Sequence, residues 1–356
     1  MGDGANEILT TVKGENPAKT KRGKLSFVLL VALNELERPL RNIPSWRYSP
    51  NEEVLLRTAL LLKSFVKQFN PDDLQDFIVI CPDSDIAVLS EMSTGILRDD
   101  RHHVLSDWKT FPEIAQWVNA AQVNGWVTQQ LIKLAVAKYV TSEYYVTLDS
   151  DILCVKPFSY ASLVPGGKAL ANVETVADYQ RLYTDEFWLR EWSIKSGRYQ
   201  KSAEILGYYR PHTISWFYGE TPCVLHTKSA ISLTEELDKW RQQSWTRLLT
   251  SNSGWTEYSL YFQFLEMTGY LESVHALTGC NGILDLEKSV WQDSKHYRHP
   301  RRYDANHFLE DRLDAANGSF VAIQSWLPVS AWLPPRCKTL SDFYKEVEGW
   351  LLNAPD

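Results

Sequence analysis

Residues 144–158 read YYVTLDSDILCVKPF, in which the apolar stretch Tyr144–Leu148 is followed by Asp149, Ser150 and Asp151. Such a stretch is typical of a strand that is buried on both faces. Alternation along an extended chain predicts that the two carboxylates lie on the same side. Two like charges this close are unfavourable unless a cation lies beside them, and carboxylate oxygens favour Mg²⁺ or Mn²⁺. The stretch therefore predicts a metal site that a ligand phosphate helps to complete.

The segments before this strand predict a parallel sheet. Residues 25–33 and 77–81 are short apolar runs, and between them apolar positions recur at helical spacing over residues 52–69. The pattern repeats with a predicted helix at about 126–140, followed by the strand at 144–148. Alternating strands and helices are typical of an α/β fold, here a Rossmann-like, doubly wound and mostly parallel sheet. In such sheets the ligand binds at the carboxyl ends of the strands.

The second half of the chain has less regular patterns. Residues 172–220 are rich in aromatic and charged side chains. This composition fits either a helical insertion with an aromatic core or the wall of a cleft for a sugar or a lipid headgroup. The remaining predicted elements are strands at 223–226 and 320–323, and helices at about 230–249, 255–268 and 340–352.

The composition excludes several classes of function. The 356 residues have a formal net charge of −7, which argues against nucleic acid as the main partner. Five scattered cysteines without a C-x-x-C pair indicate reduced thiols rather than disulfides or a zinc site. The sequence has neither an apolar run of about 18 residues nor a secretory signal. We therefore expect a cytoplasmic protein with at most peripheral contact at the inner membrane face.

Residues 125–158, GWVTQQLIKLAVAKYVTSEYYVTLDSDILCVKPF, resemble the helix, strand and D-x-D core of nucleotide-sugar glycosyltransferases of the GT-A fold. More narrowly, the chain resembles a little-characterised group of bacterial glycosyltransferase-like proteins. The chain shares three features with that group: the block at 125–158, a T-E-Y segment at 256–258 and a late strand that ends in Gln324 and Ser325. The resemblance implies a metal-dependent transfer of a sugar from a nucleoside diphosphate to an acceptor, which is a glycan or a lipid-linked molecule.

On this interpretation the chain divides into three parts. Residues 1–23, which lack periodicity, are predicted to be a flexible tail. Residues 24–335 are predicted to form one GT-A-like catalytic domain, with a nucleotide half at about 24–158 and an acceptor half at about 159–335. Residues 336–356 are assigned to a C-terminal helix.

The resemblance also implies roles for single residues at the donor. Asp151 would ligate Mn²⁺ or Mg²⁺ directly, and Asp149 would contact both the metal and the ribose or sugar of the donor. Ser150, between them, is expected to contact the donor as well. Lys133 would reach the diphosphate or the donor sugar, although a solvated lysine on a helix surface is the alternative.

Two residues that follow the first strand complete the expected donor site. Asn34 and Glu35 lie where GT-A folds hold the nucleoside, and a simple loop is the alternative for them. A UDP-sugar is the expected donor, because it is the commonest one for this fold. Many GT-A enzymes use a C-terminal histidine as a further metal ligand, but His296, His299 and His307 have no decisive spacing and none is assigned.

Glu257 opens a predicted helix and is the candidate catalytic base. In many inverting GT-A enzymes a carboxylate at a helix start in this part of the chain deprotonates the acceptor hydroxyl, and the resemblance implies that role here. An acid at a helix start is also favoured by the helix dipole, without any catalytic role. The inverting stereochemistry rests on this residue alone.

Two other functions remain open. An Asp-x-Asp sequence after an apolar strand also opens haloacid-dehalogenase-type phosphatases, in which Asp149 would be the nucleophile and Asp151 the general acid and base. That motif usually lies near the chain start, whereas here about 148 residues precede it. The third function is that of a catalytically silent protein that binds nucleotide sugars.

Overall fold

The computed structural model describes residues 23–33, 51–211, 214–299, 317–324 and 337–353. Its main sheet consists of β1 (Leu25–Leu30), β2 (Leu74–Cys81), β3 (His102–Ser106), β4 (Tyr144–Asp149) and β8 (Cys223–His226). The strand order is β3-β2-β1-β4-β8. The first four strands are parallel, and β8 pairs with β4 in the antiparallel direction.

This topology confirms the predicted α/β fold with a doubly wound, mostly parallel sheet. From β1 the order runs outward to β2 and β3 on one side and to β4 on the other, which is the doubly wound pattern. The apolar runs at 25–33, 77–81 and 144–148 predicted three of these strands, which the structure places at 25–30, 74–81 and 144–149, largely buried. The change of direction falls between β1 and β4, so this is where a ligand crevice is expected.

Helices connect the parallel strands. They are α1 (Asn51–Gln68), α2 (Ile86–Leu97), α3 (Asp107–Thr110), α4 (Pro112–Ala121) and α5 (Gly125–Ala135). Helix α1 packs on the sheet through Phe65, and Phe69 follows directly after the helix; the rings of both lie 4.8 Å from the ring of Phe27, centroid to centroid. Helix α5 is capped by Asn124, the residue before it, whose side chain accepts a hydrogen bond from the Val127 N–H. This cap fixes where the helix begins, two turns before Lys133.

The second half of the chain adds two small sheets and further helices. Its remaining strands are β5 (Ile152–Cys154), β6 (Ala169–Thr175), β7 (Trp216–Tyr218), β9 (His275–Thr278) and β10 (Phe320–Ala322). The orders are β10-β5 and β7-β6-β9. The helices up to residue 274 are α6 (Tyr160–Leu163), α7 (Val176–Leu182), α8 (Asp185–Leu206), α9 (Thr227–Arg241), α10 (Trp245–Thr250), α11 (Glu257–Met267) and α12 (Leu271–Val274).

The aromatic-rich segment at 172–220 is largely the helical insertion that its composition suggested. Helices α7 and α8 fill most of it, with part of β6 at its start and all of β7 near its end. Trp192 and Tyr199 both pack on Phe217, with ring centroids 4.5 Å apart in each pair. The same segment ends in Glu220, which lines the cavity described below.

A last helix, α13 (Leu340–Asn353), matches the helix predicted at about 340–352. Its buried face packs in one apolar cluster with β5, β10 and α1, through Phe343, Val347 and Leu351. No described helix is long and apolar enough to cross a bilayer. The predicted tail lies, except for Gly23, outside the described residues.

Candidate functional site

The site begins where β1 and β4 end side by side. Leu30 pairs with Asp149 in the register of the two strands, so both carboxyl ends meet at the crevice of the sheet. After Asp149, Ser150 and Asp151 form a turn that leads into β5. The turn interrupts the alternation of the strand. As a result Asp149 and Asp151 line two different cavities, and not the single side that alternation predicted.

Lys133 of α5 is the centre of the first cavity. Its side chain is only 4 % exposed, and its Nζ lies 2.9 Å from Oδ1 of Asp149 and 3.2 Å from Oε1 of Glu257. Nζ also donates to Oγ1 of Thr221 at 3.1 Å, so three oxygens surround the ammonium. The alternative of a solvated helix lysine is therefore wrong. Lys133 is a buried cation that joins β4 to α11.

The charges of this group shift its pKa values. Burial lowers the pKa of Lys133, but Asp149 and Glu257 outweigh burial and hold that pKa well above its ordinary value. Burial raises the pKa of Glu257, and the attraction of Lys133 opposes this shift only in part. The amine therefore stays charged, while the Glu257 carboxylate takes up a proton more readily than an ordinary glutamate does.

Glu257 is placed by the start of α11. Thr256 caps the helix, because its hydroxyl accepts from the Ser259 N–H while the Ser259 hydroxyl accepts from the Thr256 N–H. The Glu257 N–H donates to Oε1 of Gln130 on α5 at 3.2 Å. The residue is indeed an acid at a helix start, but its side chain is only 5 % exposed and faces a cation. It is therefore more than an exposed acid that the helix dipole favours.

Tyr258, the next residue of α11, contacts β4 and Thr221. Its hydroxyl lies 2.8 Å from Oγ1 of Thr147 on β4 and 2.7 Å from Oγ1 of Thr221. Its ring centroid lies 5.5 Å from Nζ of Lys133, close enough for a cation–π contact. These contacts hold the lysine in one position, so the charged group is preorganised.

The cavity around Lys133 is small, with a volume of about 70 Å³. Besides Lys133, Asp149 and Glu257, it is lined by Trp126, Gln129, Gln130, Glu220, Thr221, Thr256 and Tyr258.

At one end of this cavity, Arg198 contacts both Trp126 and Glu220. Its guanidinium lies 5.6 Å from the ring centroid of Trp126 and donates to Oε1 of Glu220 at 2.6 Å. Burial raises the pKa of Glu220, but Arg198 outweighs burial and keeps that pKa below its ordinary value.

Asp151 lines the second cavity, which has a volume of only about 10 Å³, together with Ser150, Arg57 and Tyr344. Arg57 is 2 % exposed, forms an ion pair with Glu53 and donates to the hydroxyl of Tyr344. The backbone carbonyl of Asp151 accepts from the Ile323 N–H at 2.9 Å. Asp151 therefore lies next to α1, the C-terminal helix and Ile323, the residue after β10.

The chemistry of the two aspartates fits a hard divalent cation. Mg²⁺ and Mn²⁺ are commonly bound by one or two carboxylates and completed by substrate phosphates. Asp149 directs Oδ1 to Lys133, and its side chain remains 35 % exposed. Within the described part of the chain, no group of three or more His, Cys, Asp or Glu side chains is arranged to hold a metal. The residues present therefore fit an ion that a bound diphosphate helps to hold.

Some residues considered in the sequence analysis are not described by the structure or do not line these cavities. Asn34, Glu35, Ser325 and His307 fall outside the described residues. His296 stacks on Phe187 with ring centroids 4.1 Å apart and lines neither of the two cavities above.

Among the residues that line these cavities, the sequence patterns did not single out Trp126, Gln130, Glu220, Thr221 or Arg57. Only the residues of α5 could have been found from the sequence, through their helical spacing. Trp126, Gln129, Gln130 and Lys133 follow the i, i+3, i+4, i+7 spacing of a single helix face. The other three residues come from distant segments, and no local pattern connects them to the D-x-D sequence.

Comparisons with known proteins add the following. The profile of a family described as "Family of unknown function (DUF6492)" matches residues 24–348. No curated protein matches the sequence. Among solved structures, the chain is similar to the apo form of mouse xyloside xylosyltransferase 1, with 11 % sequence identity and a TM-score of 0.45. That similarity covers 87 % of this chain and 100 % of the mouse chain.

Proposed function

Because the chain belongs to this family of unknown function (DUF6492), its activity has to be inferred from the site, and we propose that it is a metal-dependent, inverting glycosyltransferase. The proposed donor is a nucleoside-diphosphate sugar, a UDP-sugar first of all, and the acceptor is a glycan or a lipid-linked glycan. One observation carries the proposal: the buried Lys133 lies between Asp149 and Glu257 at the carboxyl end of the sheet. The resemblance of residues 125–158 to GT-A glycosyltransferases supports it.

The donor end of the site is assigned to Asp149. Nucleotides bind doubly wound sheets where the strand order changes direction, and Asp149 ends β4 at that point. A chain with a net charge of −7 needs a local cation to hold a diphosphate, and because Lys133 is already paired with two carboxylates, the proposed divalent ion would supply that charge. Asp151 would ligate Mn²⁺ or Mg²⁺ directly and Asp149 would contact it through water, and the ion would neutralise the charge of the diphosphate leaving group. Ser150, Asn34 and Glu35 stay proposed donor contacts.

Glu257 is assigned to the acceptor. As the acceptor oxygen attacks the anomeric carbon, its proton passes to the Glu257 carboxylate. The bond between that carbon and the diphosphate oxygen breaks, and its electron pair leaves with the nucleoside diphosphate. A single displacement of this kind inverts the anomeric centre. The raised pKa of Glu257 suits a base, because a group with a pKa nearer to neutral accepts a proton more effectively.

The proposed cellular location follows from the proposed donor and acceptor. We place the reaction in the cytoplasm, where a lipid-linked acceptor would bring the protein to the inner membrane face. The acidic composition supports the choice of a partner other than nucleic acid.

The phosphatase alternative has less support. A phosphatase of that type needs both aspartates at one phosphorus atom, the first to attack and the second to move a proton. Asp149 and Asp151 instead line separate cavities, and Oδ1 of Asp149 is in contact with the Lys133 ammonium. The contact with Lys133 favours a role for Asp149 in orientation and charge balance over one as nucleophile.

Release of the nucleoside diphosphate tests the proposal. The protein is incubated with Mn²⁺ and a panel of nucleotide sugars, and the free diphosphate is measured. We expect slow release from one donor, which Glu257→Gln reduces about 100-fold or more. If the protein instead releases phosphate from an aryl phosphate, and Asp149→Ala suppresses this release, the phosphatase alternative is correct. Saturable donor binding without any release would show a silent binding protein.

A further inference from the structure

One face of helix α5 forms a continuous floor along the first cavity. Trp126, Gln129, Gln130 and Lys133 all line it, and their spacing places them on two successive turns of one face. With a rise of 1.5 Å per residue, Trp126 lies roughly 10 Å along the helix axis from Lys133. The cavity therefore has a charged end at Lys133 and an aromatic end at Trp126.

The aromatic end is exposed but held in place. Trp126 is 46 % exposed, and the Arg198 guanidinium near its ring fixes the indole through a cation–π contact. Arg198 is itself held by Glu220, whose carboxylate lines the same cavity. A flat apolar surface is thus presented to solvent beside a carboxylate that stays charged.

Polar groups of the right kind lie between the two ends. In the parts of the chain that the structure describes, the half-buried amide of Gln129 has no hydrogen-bond partner, although the residue lines the cavity. Glu220 uses Oε1 for Arg198, so its second oxygen is left to accept another hydrogen bond. A donor and two kinds of acceptor are therefore available beside the indole.

This combination matches the chemistry of a sugar ring. A pyranose has an apolar face of C–H groups and a rim of hydroxyls that both donate and accept hydrogen bonds. An indole provides a flat apolar surface for the C–H face, and an amide and a carboxylate provide hydrogen-bond partners for the hydroxyls. We infer that Trp126, Gln129 and Glu220 form a carbohydrate subsite, in which a sugar ring of the acceptor stacks on Trp126.

The position of the subsite selects the acceptor over the donor. This step rests on the proposed function, in which the diphosphate binds at Asp149 and Glu257 deprotonates the acceptor. Lys133 contacts both carboxylates, so the donor end lies at the inner end of the α5 face. Trp126 lies two turns away toward the exposed N-terminus of the helix. A ring stacked there is on the outer side of the site, where an acceptor would enter.

Saturation-transfer NMR on the full chain tests the subsite without requiring turnover. The probes are methyl glycosides and short oligosaccharides of the common hexoses, with UDP and Mn²⁺ as a separate probe of the donor site. We expect one carbohydrate to receive saturation at the protons of one ring face. Trp126→Ala should weaken its binding about tenfold, and Trp126→Phe should restore much of it. Trp240→Ala, which removes another indole of similar exposure (44 %) outside the cavity, should leave binding unchanged.

The outcomes separate this inference from the proposed function. If UDP binds with Mn²⁺ but no carbohydrate of the panel does, or if Trp126→Ala leaves carbohydrate binding unchanged, the subsite is refuted and the donor assignment stands. If Trp126→Ala instead removes the signal of the uracil ring, Trp126 holds the nucleobase and the inference is wrong. If carbohydrate binding depends on Trp126 while UDP does not bind, the subsite stands and the transferase proposal fails.

Discussion

The Lys133 ammonium and the Glu257 carboxylate form an ion pair of 3.2 Å with both side chains almost fully buried. The pair joins α5, in the half of the chain that contains the D-x-D sequence, to α11 in the other half. Asp149 contacts the same ammonium at 2.9 Å. One cation thus lies between two carboxylates, which leaves the group with about one negative charge when all three are ionised. A ligand that brings a cation or donates a proton would balance it.

Loss of the Lys133 charge should destabilise the fold. Lys133→Met keeps much of the side-chain volume but leaves Glu257 buried without its partner, which typically costs about 3 kcal/mol of unfolding free energy. Urea denaturation measures the loss. Adding Glu257→Gln should recover part of it, because the uncompensated buried charge is then removed.

Lys239→Met provides the control for this experiment. Lys239 pairs with Glu236 on the surface of α9, so its loss should leave the unfolding curve unchanged. If Lys133→Met were equally harmless, Lys133 would not be the cation that holds α5 and α11 together.

The raised pKa of Glu257 predicts how transfer depends on pH. The base acts only as a carboxylate, so the rate should fall as pH drops through a pKa that lies above the ordinary 4.5 of a glutamate. A profile of kcat/KM against pH shows this acid limb. In Glu257→Gln the remaining slow rate should no longer show it. An unchanged limb in that variant would assign the ionisation to another group.

His275 predicts a loss of stability in acid that is independent of the site. Burial lowers its pKa from 6.5 to about 3. Its Nδ1 lies 3.2 Å from the Ala169 carbonyl oxygen, which can only accept, so Nδ1 carries the proton of the neutral ring and Nε2 accepts from Tyr261. Between pH 6.5 and pH 3 the unfolded chain binds a proton at this histidine and the folded chain does not. The unfolding free energy should therefore fall by about 1.4 kcal/mol per pH unit in this window.

Denaturation curves at several pH values check this prediction. His275→Gln keeps a donor and an acceptor but does not titrate, so its stability should depend less steeply on pH. An equal slope in the variant and the parent would show that His275 does not contribute to acid sensitivity.

The C-terminal helix is predicted to be necessary for stability. Phe343 is completely buried in the cluster that α13 forms with β5 and β10. Phe343→Ala should therefore cost about 3–5 kcal/mol of unfolding free energy. On the same helix Leu352 is 37 % exposed, and Leu352→Ala should cost about 0.5 kcal/mol or less. Equal effects of the two changes would contradict the packing of α13.

The sequence predicts those parts of the fold that depend on local patterns. The buried strands β1, β2 and β4 appear as apolar runs, and α5 appears through its helical spacing. The strand β3 was not predicted, because HHVLS at 102–106 is only partly buried and has no continuous apolar run. The Asp-Ser-Asp sequence was recognised, but the turn after Asp149 was not expected.

The candidate site is less predictable, because contacts between distant segments create it. In the sequence Lys133 is an ordinary helix lysine. Its role in the site depends on its contacts with Asp149, Thr221 and Glu257, which come from distant segments. Tyr344 reaches Arg57 from the other end of the chain, and no periodicity indicates this contact. Long-range packing decides burial, and burial in turn decides which charges and pKa values are unusual.

Binding of UDP with Mn²⁺, followed by thermal unfolding, tests the central claim most directly. At UDP concentrations about 100-fold above the Kd, the Tm should rise by about 3 °C or more, and omitting Mn²⁺ should reduce the shift. Asp151→Asn should abolish the Mn²⁺-dependent part, while Asp185→Asn at an exposed position should not. If Asp151→Asn retained the full Mn²⁺-dependent shift, or if no nucleoside diphosphate stabilised the protein with Mn²⁺, the metal–diphosphate site proposed here would be wrong.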